Sequence, residues 1–156
     1  MNIVIAADPS AFTLKQAIKK HLEEKGHAVT DRGTTDTREV TFYDAAQSAC
    51  ATLQEGKAER GILLCGSGMG MAIVAGKQSG IIAACVESVF AARMCRAINN
   101  ANVLCLGAMI WGEWMAKEAV DVFLRTAHTE GLPDIKEGLL RSAEEVRKID
   151  ERTRKK

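Results

Sequence analysis

Three absences in the sequence exclude whole classes of protein. The 156 residues hold 21 basic and 20 acidic side chains, and so small a net charge argues against a nucleic-acid or membrane partner selected by bulk electrostatics. No apolar run approaches the roughly 20 residues that a membrane-spanning helix needs. The chain starts directly with strand-like residues at Asn2–Ala7, so no secretory signal peptide is predicted.

The cysteines form no motif that would cross-link the chain or hold a metal. Their number is odd, they are scattered, and no two stand in a Cys-x-x-Cys spacing: they are Cys50, Cys65, Cys85, Cys95 and Cys105. Such a set predicts neither a disulfide framework nor a zinc site, and it suits free thiols in a reducing cytoplasm. We expect Cys85 and Cys105 to be buried in core strands, whereas Cys65 differs because a glycine-rich loop follows it.

Short apolar runs alternate with helical patterns along most of the chain. Five runs are typical of strands: Asn2–Ala7, His27–Asp31, Gly61–Leu64, Ile81–Cys85 and Val103–Leu106. A helical pattern follows each of them, and Ser10 is positioned to cap the first helix. The runs are too apolar for strands that have one face in solvent. We therefore predict an α/β fold in which helices cover both faces of a five-stranded parallel sheet. No internal repeat or low-complexity linker divides the chain.

The last part of the chain has a different pattern. After Gly131–Pro133 a charged helix is predicted to reach about Arg152, and its apolar residues recur at spacings of three and four. These residues are Ile135, Leu139, Leu140, Ala143, Val146 and Ile149. We divide the chain into a domain over residues 1–127 and a C-terminal helical extension over residues 128–156. We expect this arm to pack on a partner subunit, with folding back onto its own domain as the alternative.

The most informative segment is Gly61–Gly70, where an apolar run ends in Cys65 and enters a loop with alternate glycines, Gly66, Gly68 and Gly70. Ligands of open α/β sheets bind in the crevice where such strands end. Glycines let the backbone turn sharply and aim several N–H groups at one point, which suits an anion. The segment therefore predicts a thiolate base beside an anion hole. A buried core thiol and a plain strand-to-helix turn are the alternatives.

The loop does not match the common nucleotide-binding motifs. It lacks the Gly-Lys-Ser/Thr of a nucleoside-triphosphate loop, and its glycine spacing differs from the dinucleotide fingerprint. The nearest acidic residue to the expected ribose position is Glu87, which is a weak match. A dinucleotide-dependent oxidoreductase is therefore only the alternative class of enzyme.

Further residues match a known family in order and in spacing. The matching positions are the glycine loop, Asp8 after the first strand, Lys77–Ile81, Asn99–Val103, Gly107 and Gly112-Glu113. With these motifs, residues 1 to 127 resemble the ribose-5-phosphate isomerase B and galactose-6-phosphate isomerase family. The resemblance implies a Rossmann-like three-layer α/β/α domain, in a dimer or tetramer with active sites at the subunit interface. It also implies an aldose–ketose isomerase that acts on a sugar phosphate without a metal or cofactor.

The same resemblance implies roles for individual residues. Cys65 is the implied base, which moves a proton between C1 and C2 of the substrate through a cis-enediolate. The loop is implied to hold the enediolate through the Ser67 hydroxyl and through Gly66, Gly68, Met69 and Gly70. Asp8 and Asn99 are implied to bind sugar hydroxyls. From the residues alone, Asp8 could equally cap the helix that follows it, and Asn99 could end its own helix.

Several positions depart from the pattern of the family. Pro9 and Ile98 stand where histidines are usual, and Met109 stands where a basic residue is common. The arginine- and histidine-bearing tail is also missing, because the chain reads Gly-Leu-Pro-Asp at residues 131–134. Isoleucine cannot transfer a proton and methionine cannot pair with phosphate. The usual route of ring opening and part of the usual phosphate clamp are therefore in doubt.

Three hypotheses account for these departures. In the first, a homo-oligomeric isomerase takes an altered substrate, such as a four-carbon aldose 4-phosphate, whose phosphate blocks the hydroxyl that would close a furanose ring. In the second, the chain is one subunit of a hetero-oligomer, and its partner supplies the missing histidine. In the third, the domain binds a sugar phosphate without catalysis, although the presence of Cys65, Ser67 and Asp8 together speaks against this.

Overall fold

The computed structural model describes residues 1–153 and contains a five-stranded parallel sheet. Its strands are β1 (Asn2–Ala7), β2 (Ala28–Asp31), β3 (Arg60–Cys65), β4 (Ala83–Cys85) and β5 (Val103–Gly107). Their order across the sheet is β2-β1-β3-β5-β4, so β3 lies at the centre and carries Cys65 at its carboxyl end. The predicted fold class and the parallel sheet are confirmed.

Helices cover both faces of the sheet. They are α1 (Phe12–Glu24), α2 (Phe42–Gln54), α3 (Met69–Ala75), α4 (Val89–Ala97), α5 (Glu113–Arg125) and α6 (Lys136–Thr153). Successive residues of β1 serve opposite faces, as the period of two of a strand requires. Ile3 and Ile5 join the core under α1, α4 and α5, whereas Val4 and Ala6 join the core under α2 and α3. The molecule therefore has the expected three layers.

The start of α1 differs from the prediction. Ser10 does not cap this helix, because its N–H and its hydroxyl both donate to Oδ1 of Asp8, at 3.1 and 2.5 Å. Asp8 instead caps a short 3₁₀ turn, Pro9–Ala11, and α1 begins only at Phe12. Proline favours such a first turn, since its ring fixes φ and it has no N–H that needs a partner.

The exposure of Cys85 also contradicts the prediction. Cys85 pairs with Cys105 in the sheet, and Cys105 is buried as expected, but Cys85 is exposed. The reason is the position of β4, which is a three-residue strand at the edge of the sheet. A strand at the edge has a neighbour on one side only, so its last side chain is left uncovered.

The helix α6 stands apart from the rest of the fold. None of its described residues is buried, and three of its apolar residues are about half exposed: Leu140, Val146 and Ile149. Near its end, Asp150 accepts hydrogen bonds from the Ser79 hydroxyl at 3.1 Å and the Gly80 N–H at 2.8 Å. The arm thus touches its own domain while its apolar stripe stays open, and its packing on a partner subunit remains a prediction.

Residues 154–156 of the predicted extension lie outside the described residues. Within residues 1–153, no helix has the length and apolarity that crossing a membrane requires.

Candidate active site

The carboxyl edge of the sheet brings together most of the predicted site residues. Cys65 pairs with Gly107 at the end of β5. Just beyond β1, the N–H of Asp8 donates to the carbonyl of Leu64 at 3.4 Å. Asp8, Cys65 and the glycine loop after Cys65 therefore share the edge at which parallel α/β sheets bind ligands.

The glycine loop packs directly on the end of β5. A Cβ on Gly107 would lie 2.6 Å from the carbonyl carbon of Ser67, and a Cβ on Gly68 would lie 2.9 Å from the carbonyl carbon of Leu106. Gly68 also has a φ of +77°, which residues with side chains rarely adopt. Both glycines are therefore needed for the loop to keep its place beside Cys65.

Within this loop the sulfur of Cys65 has a backbone partner. Sγ accepts a hydrogen bond from the N–H of Gly68 at 3.2 Å, and Cys65 is only 6% exposed. The N–H of Met69 donates to the Ser67 hydroxyl at 3.3 Å. The Gly68 N–H thus orients the sulfur of Cys65 at the mouth of the loop. Within the described residues, the N–H groups of Gly66, Ser67 and Gly70 make no hydrogen bond, so these three loop donors are open to a substrate oxygen.

Three side chains flank the ends of the loop. A Cβ on Gly66 would lie 3.1 Å from Cε of Met109 and 3.5 Å from the hydroxyl of Ser10. A Cβ on Gly70 would lie 3.1 Å from the ring of Phe42. Next to Gly66 the loop is thus bordered by a thioether, and Met109 itself is 83% exposed. Sequence reasoning missed Ser10 as a site residue, although its distance of two residues from Asp8 was a usable signal.

Cys85 is a second site residue that the sequence did not reveal. Its Sγ donates toward the carbonyl of Ser67 at 3.8 Å. Although Cys85 is exposed as a residue, partial burial of its sulfur raises the pKa of this thiol, and its neighbours Cys65 and Glu87 raise it further, so the thiol is neutral at pH 7. The signal was its place at the end of a strand, since parallel strands end at a common edge.

A buried lysine holds the wall of the site next to Asp8. Lys15 is fully buried, and its Nζ lies 2.5 Å from Oδ2 of Asp31 and 2.5 Å from the carbonyl of Thr34. The N–H of Thr34 in turn donates to the carbonyl of Ala7 at 2.8 Å. A buried ammonium needs such partners, because its isolated burial is costly. The network therefore ties the segment after β2 to the end of β1.

Asn99 lies at the opposite edge of the sheet. It follows the end of α4 and precedes β5, so it belongs to the amino edge, whereas Cys65 belongs to the carboxyl edge. The N–H of Asn102 accordingly donates to the carbonyl of Ile82, just before β4, at 3.0 Å. Ile98, which ends α4 directly before Asn99, also lies at the amino edge. A single chain therefore does not bring Asn99 to Cys65, and the substrate-binding role of Asn99 stays a prediction that needs a second chain.

The part of the chain described by the structure contains no group of three or more His, Cys, Asp or Glu side chains placed to hold a metal ion. Its five cysteines are free thiols. The groups at the carboxyl edge that can exchange a proton include Cys65, Cys85, Ser10, Ser67 and Asp8.

Comparison with known proteins places this architecture in a class. A family model described as Ribose/Galactose Isomerase matches residues 3–140. The chain is 44% identical over 146 residues to the 4-deoxy-4-sulfo-D-erythrose isomerase of Clostridium sp. (strain MSTE9), a match that covers 93% of this chain and 92% of that protein. It is 42% identical over 125 residues to the D-erythrulose-4-phosphate isomerase of Pectobacterium atrosepticum, with 80% and 82% covered.

Solved structures agree with this class. The ribose-5-phosphate isomerase B of Clostridium thermocellum superposes with a TM-score of 0.89 at 31% identity, covering 98% of this chain and 99% of that chain. The chain therefore belongs to the ribose/galactose isomerase family. It is an aldose–ketose isomerase, and the resemblance seen in the sequence is confirmed.

Proposed function

We propose that this enzyme interconverts the aldose and ketose forms of a four-carbon sugar that carries an anionic group at C4. The Cys65 thiolate takes the proton from C2 of the aldose, the electron pair of the C–H bond forms the C1–C2 double bond, and O1 takes the negative charge. Return of the proton to C1, with passage of the hydroxyl proton from O2 to O1, gives the ketose. The hydrogen bond from Gly68 N–H to Cys65 Sγ, at 3.2 Å, carries this assignment.

The glycine loop is proposed to stabilise the cis-enediolate. Ser67 supplies a hydroxyl, and the backbone of Gly66, Gly68, Met69 and Gly70 surrounds the same point. Removing one donor of an oxyanion hole typically costs about 2.7–4 kcal/mol of transition-state stabilisation. A positioned base adds roughly 10²–10⁴-fold to the rate. Asp8 is proposed to bind a sugar hydroxyl from the neighbouring strand end.

The chain length of the substrate follows from the missing histidine. Ile98 cannot open a sugar ring by proton transfer, so a substrate that forms no ring suits this site. A four-carbon aldose needs a free hydroxyl at C4 to close a furanose ring, and a phosphate ester on that hydroxyl blocks closure. A 4-deoxy-4-sulfo sugar has no such hydroxyl. The names of the two relatives at 44% and 42% identity support both chemistries for this chain.

A complete site is proposed to need two chains. Asn99 of one subunit would reach the carboxyl edge of another, which makes the enzyme a homodimer or homotetramer with its sites at the interface. Exposed apolar residues near the carboxyl edge, in the segments that follow β4 and β5, support such an interface: they are Phe90, Met109, Ile110 and Trp114. The arm formed by residues 128–156 is proposed to pack on the same partner.

The five free thiols suit a reducing compartment, and we propose the cytoplasm.

The test is proton–deuterium exchange in heavy water, followed by NMR, with D-erythrose 4-phosphate and 4-deoxy-4-sulfo-D-erythrose as substrates. Wild type is expected to introduce deuterium at the exchanging carbons. Cys65→Ala is expected to lower the exchange by at least about 10²-fold, because the base is lost. Cys95→Ala is the matched control, since it removes another buried thiol from the α4 face of the core. Undiminished exchange by Cys65→Ala would show that another group is the base.

The hetero-oligomer hypothesis is tested with the same preparation. Mass measured by light scattering gives the number of chains, and exchange by the purified chain alone shows whether identical copies suffice. An inactive chain that gains exchange only when a second gene product is added would favour a hetero-oligomer with a histidine from that partner.

A further inference from the structure

The proposed isomerisation needs a second proton transfer besides the one at carbon. A proton must pass from O2 to O1 of the enediolate before the ketose forms. Cys65 is unsuited to this step, because it holds the proton taken from C2 at the same time. A positioned group that accepts one proton and releases another would speed the transfer between the two oxygens.

Two polar side chains lie directly beside the start of the glycine loop. The N–H of Asp8 donates at 3.4 Å to the carbonyl of Leu64, the residue before Cys65. A Cβ on Gly66 would be in ordinary contact with the Ser10 hydroxyl, at 3.5 Å. The N–H of Gly66 is one of the open donors of the loop. Asp8 and Ser10 therefore border the point at which the loop is proposed to hold the enediolate.

The Ser10 hydroxyl is joined to the carboxylate of Asp8. Its Oγ donates to Oδ1 of Asp8 at 2.5 Å, and the N–H of Ser10 donates to the same oxygen at 3.1 Å. The ring of Pro9 fixes φ in the intervening 3₁₀ turn, which holds Ser10 over Asp8. A hydroxyl–carboxylate hydrogen bond of this length is among the strong ones, so a proton can pass along it. Within residues 1–153, Oδ2 of Asp8 makes no hydrogen bond, so it is open to a substrate.

Two other hydrogen-bonding side chains near the loop are less suited to this transfer. The Ser67 hydroxyl accepts from the N–H of Met69 at 3.3 Å, and among the described residues it has no carboxylate to take the proton that it would pass on. Cys85 donates toward the carbonyl of Ser67 from the edge strand β4, again without a carboxylate partner in the described chain. Of these hydroxyl and thiol groups, only the Ser10 hydroxyl has an acceptor that can hold a proton during the step.

We propose that Ser10 and Asp8 form a proton relay between O2 and O1 of the enediolate, a role that rests on the proposed function. Oγ of Ser10 takes the proton of the O2 hydroxyl while its own proton passes to Oδ1 of Asp8, and the carboxyl group of Asp8 then releases a proton to O1. The negative charge moves to O2, whose electron pair forms the ketose carbonyl as C1 takes the proton from Cys65. Ser10 ends as a hydroxyl and Asp8 as a carboxylate, so the relay consumes no co-reactant.

The experiment compares wild type with Ser10→Ala in heavy water, on D-erythrose 4-phosphate and on 4-deoxy-4-sulfo-D-erythrose, and NMR follows two rates. Entry of deuterium at C2 of the recovered aldose needs Cys65 and the loop, whereas formation of the ketose also needs the transfer from O2 to O1. Ser10→Ala is expected to lower ketose formation at least about tenfold and to change deuterium entry less than about twofold. The ratio of deuterium entry to ketose formation therefore rises, whereas a displaced loop would lower both rates together.

Three variants complete the test. Ser10→Thr keeps the hydroxyl and is expected to restore the wild-type ratio, whereas Asp8→Asn cannot take up the proton and is expected to raise it. Ser48→Ala is the matched control, because it removes an exposed serine from the middle of α2; it is expected to keep both rates within about twofold. An unchanged ratio in Ser10→Ala would overturn the relay alone. A wild-type enzyme without deuterium entry on either substrate would overturn the proposed function and the relay with it.

Discussion

Gly107→Ala tests the claim that the glycine loop owes its position to close packing on β5. The new Cβ would lie 2.6 Å from the carbonyl carbon of Ser67, while ordinary contact starts at 3.4 Å, so the loop must withdraw by about 0.8 Å. A displacement of about 1 Å at reacting groups costs on the order of 10²-fold in rate. Overpacking of this kind typically destabilises a protein by about 1–3 kcal/mol. We therefore expect a strong loss of kcat/KM together with a modest loss of stability.

The assay is isomerisation of D-erythrose 4-phosphate, with urea unfolding to measure the free energy of unfolding. Gly112→Ala is the control, because a Cβ there meets no atom within 4 Å and φ is −73°. It is expected to keep activity within about twofold and, because Gly112 is the N-cap of α5, to lose up to about 1 kcal/mol of stability. A Gly107→Ala enzyme with wild-type kcat/KM would refute the reasoning, because the loop position would then not matter for the chemistry.

Two further predictions concern stability. Lys15→Met leaves Asp31 without its buried partner and is expected to lower the free energy of unfolding by about 3 kcal/mol; urea unfolding at pH 7 measures this, and a loss below about 1 kcal/mol would contradict the assigned network. Burial alone would raise the pKa of Asp121, but hydrogen bonds from Lys25 and His21 outweigh burial and hold that pKa below its usual value. Asp121 thus stabilises the protein above the usual carboxyl pKa of about 3.9, and this stabilisation is lost as pH falls through the lower folded-state value. Asp121→Asn is expected to cost about 1 kcal/mol at pH 7 and progressively less in acid, and a cost independent of pH would contradict the assignment.

The alternation of strands and helices was predictable because burial on both sides leaves an unmistakable apolar run. Val4 and Ile5 face opposite helical layers, and both must be apolar. The glycine loop and Cys65 were predictable for a related reason, since alternate glycines directly after a buried strand are typical of a loop that binds a ligand. The candidate site residues therefore lie mainly in one local segment, Gly61–Gly70.

The features that sequence reasoning missed depend on tertiary context. Serine is a common helix cap, but here Asp8 caps the turn Pro9–Ala11 and accepts from Ser10, so the helix begins later than the sequence predicts. Cys85 belongs to an apolar run, yet the run lies at the sheet edge, a fact set by strand order and invisible in local pattern. For Asn99 the signal existed, because a residue that precedes a strand cannot share an edge with one that ends a parallel strand.

The most direct test of substrate choice compares deuterium exchange by the wild-type enzyme on D-erythrose 4-phosphate, 4-deoxy-4-sulfo-D-erythrose and D-ribose 5-phosphate under one set of conditions. We predict exchange on a four-carbon substrate and at least about 10²-fold less on ribose 5-phosphate, because Ile98 offers no acid to open its ring. Equal or faster exchange on ribose 5-phosphate would contradict the claim that this site selects sugars that cannot close a ring.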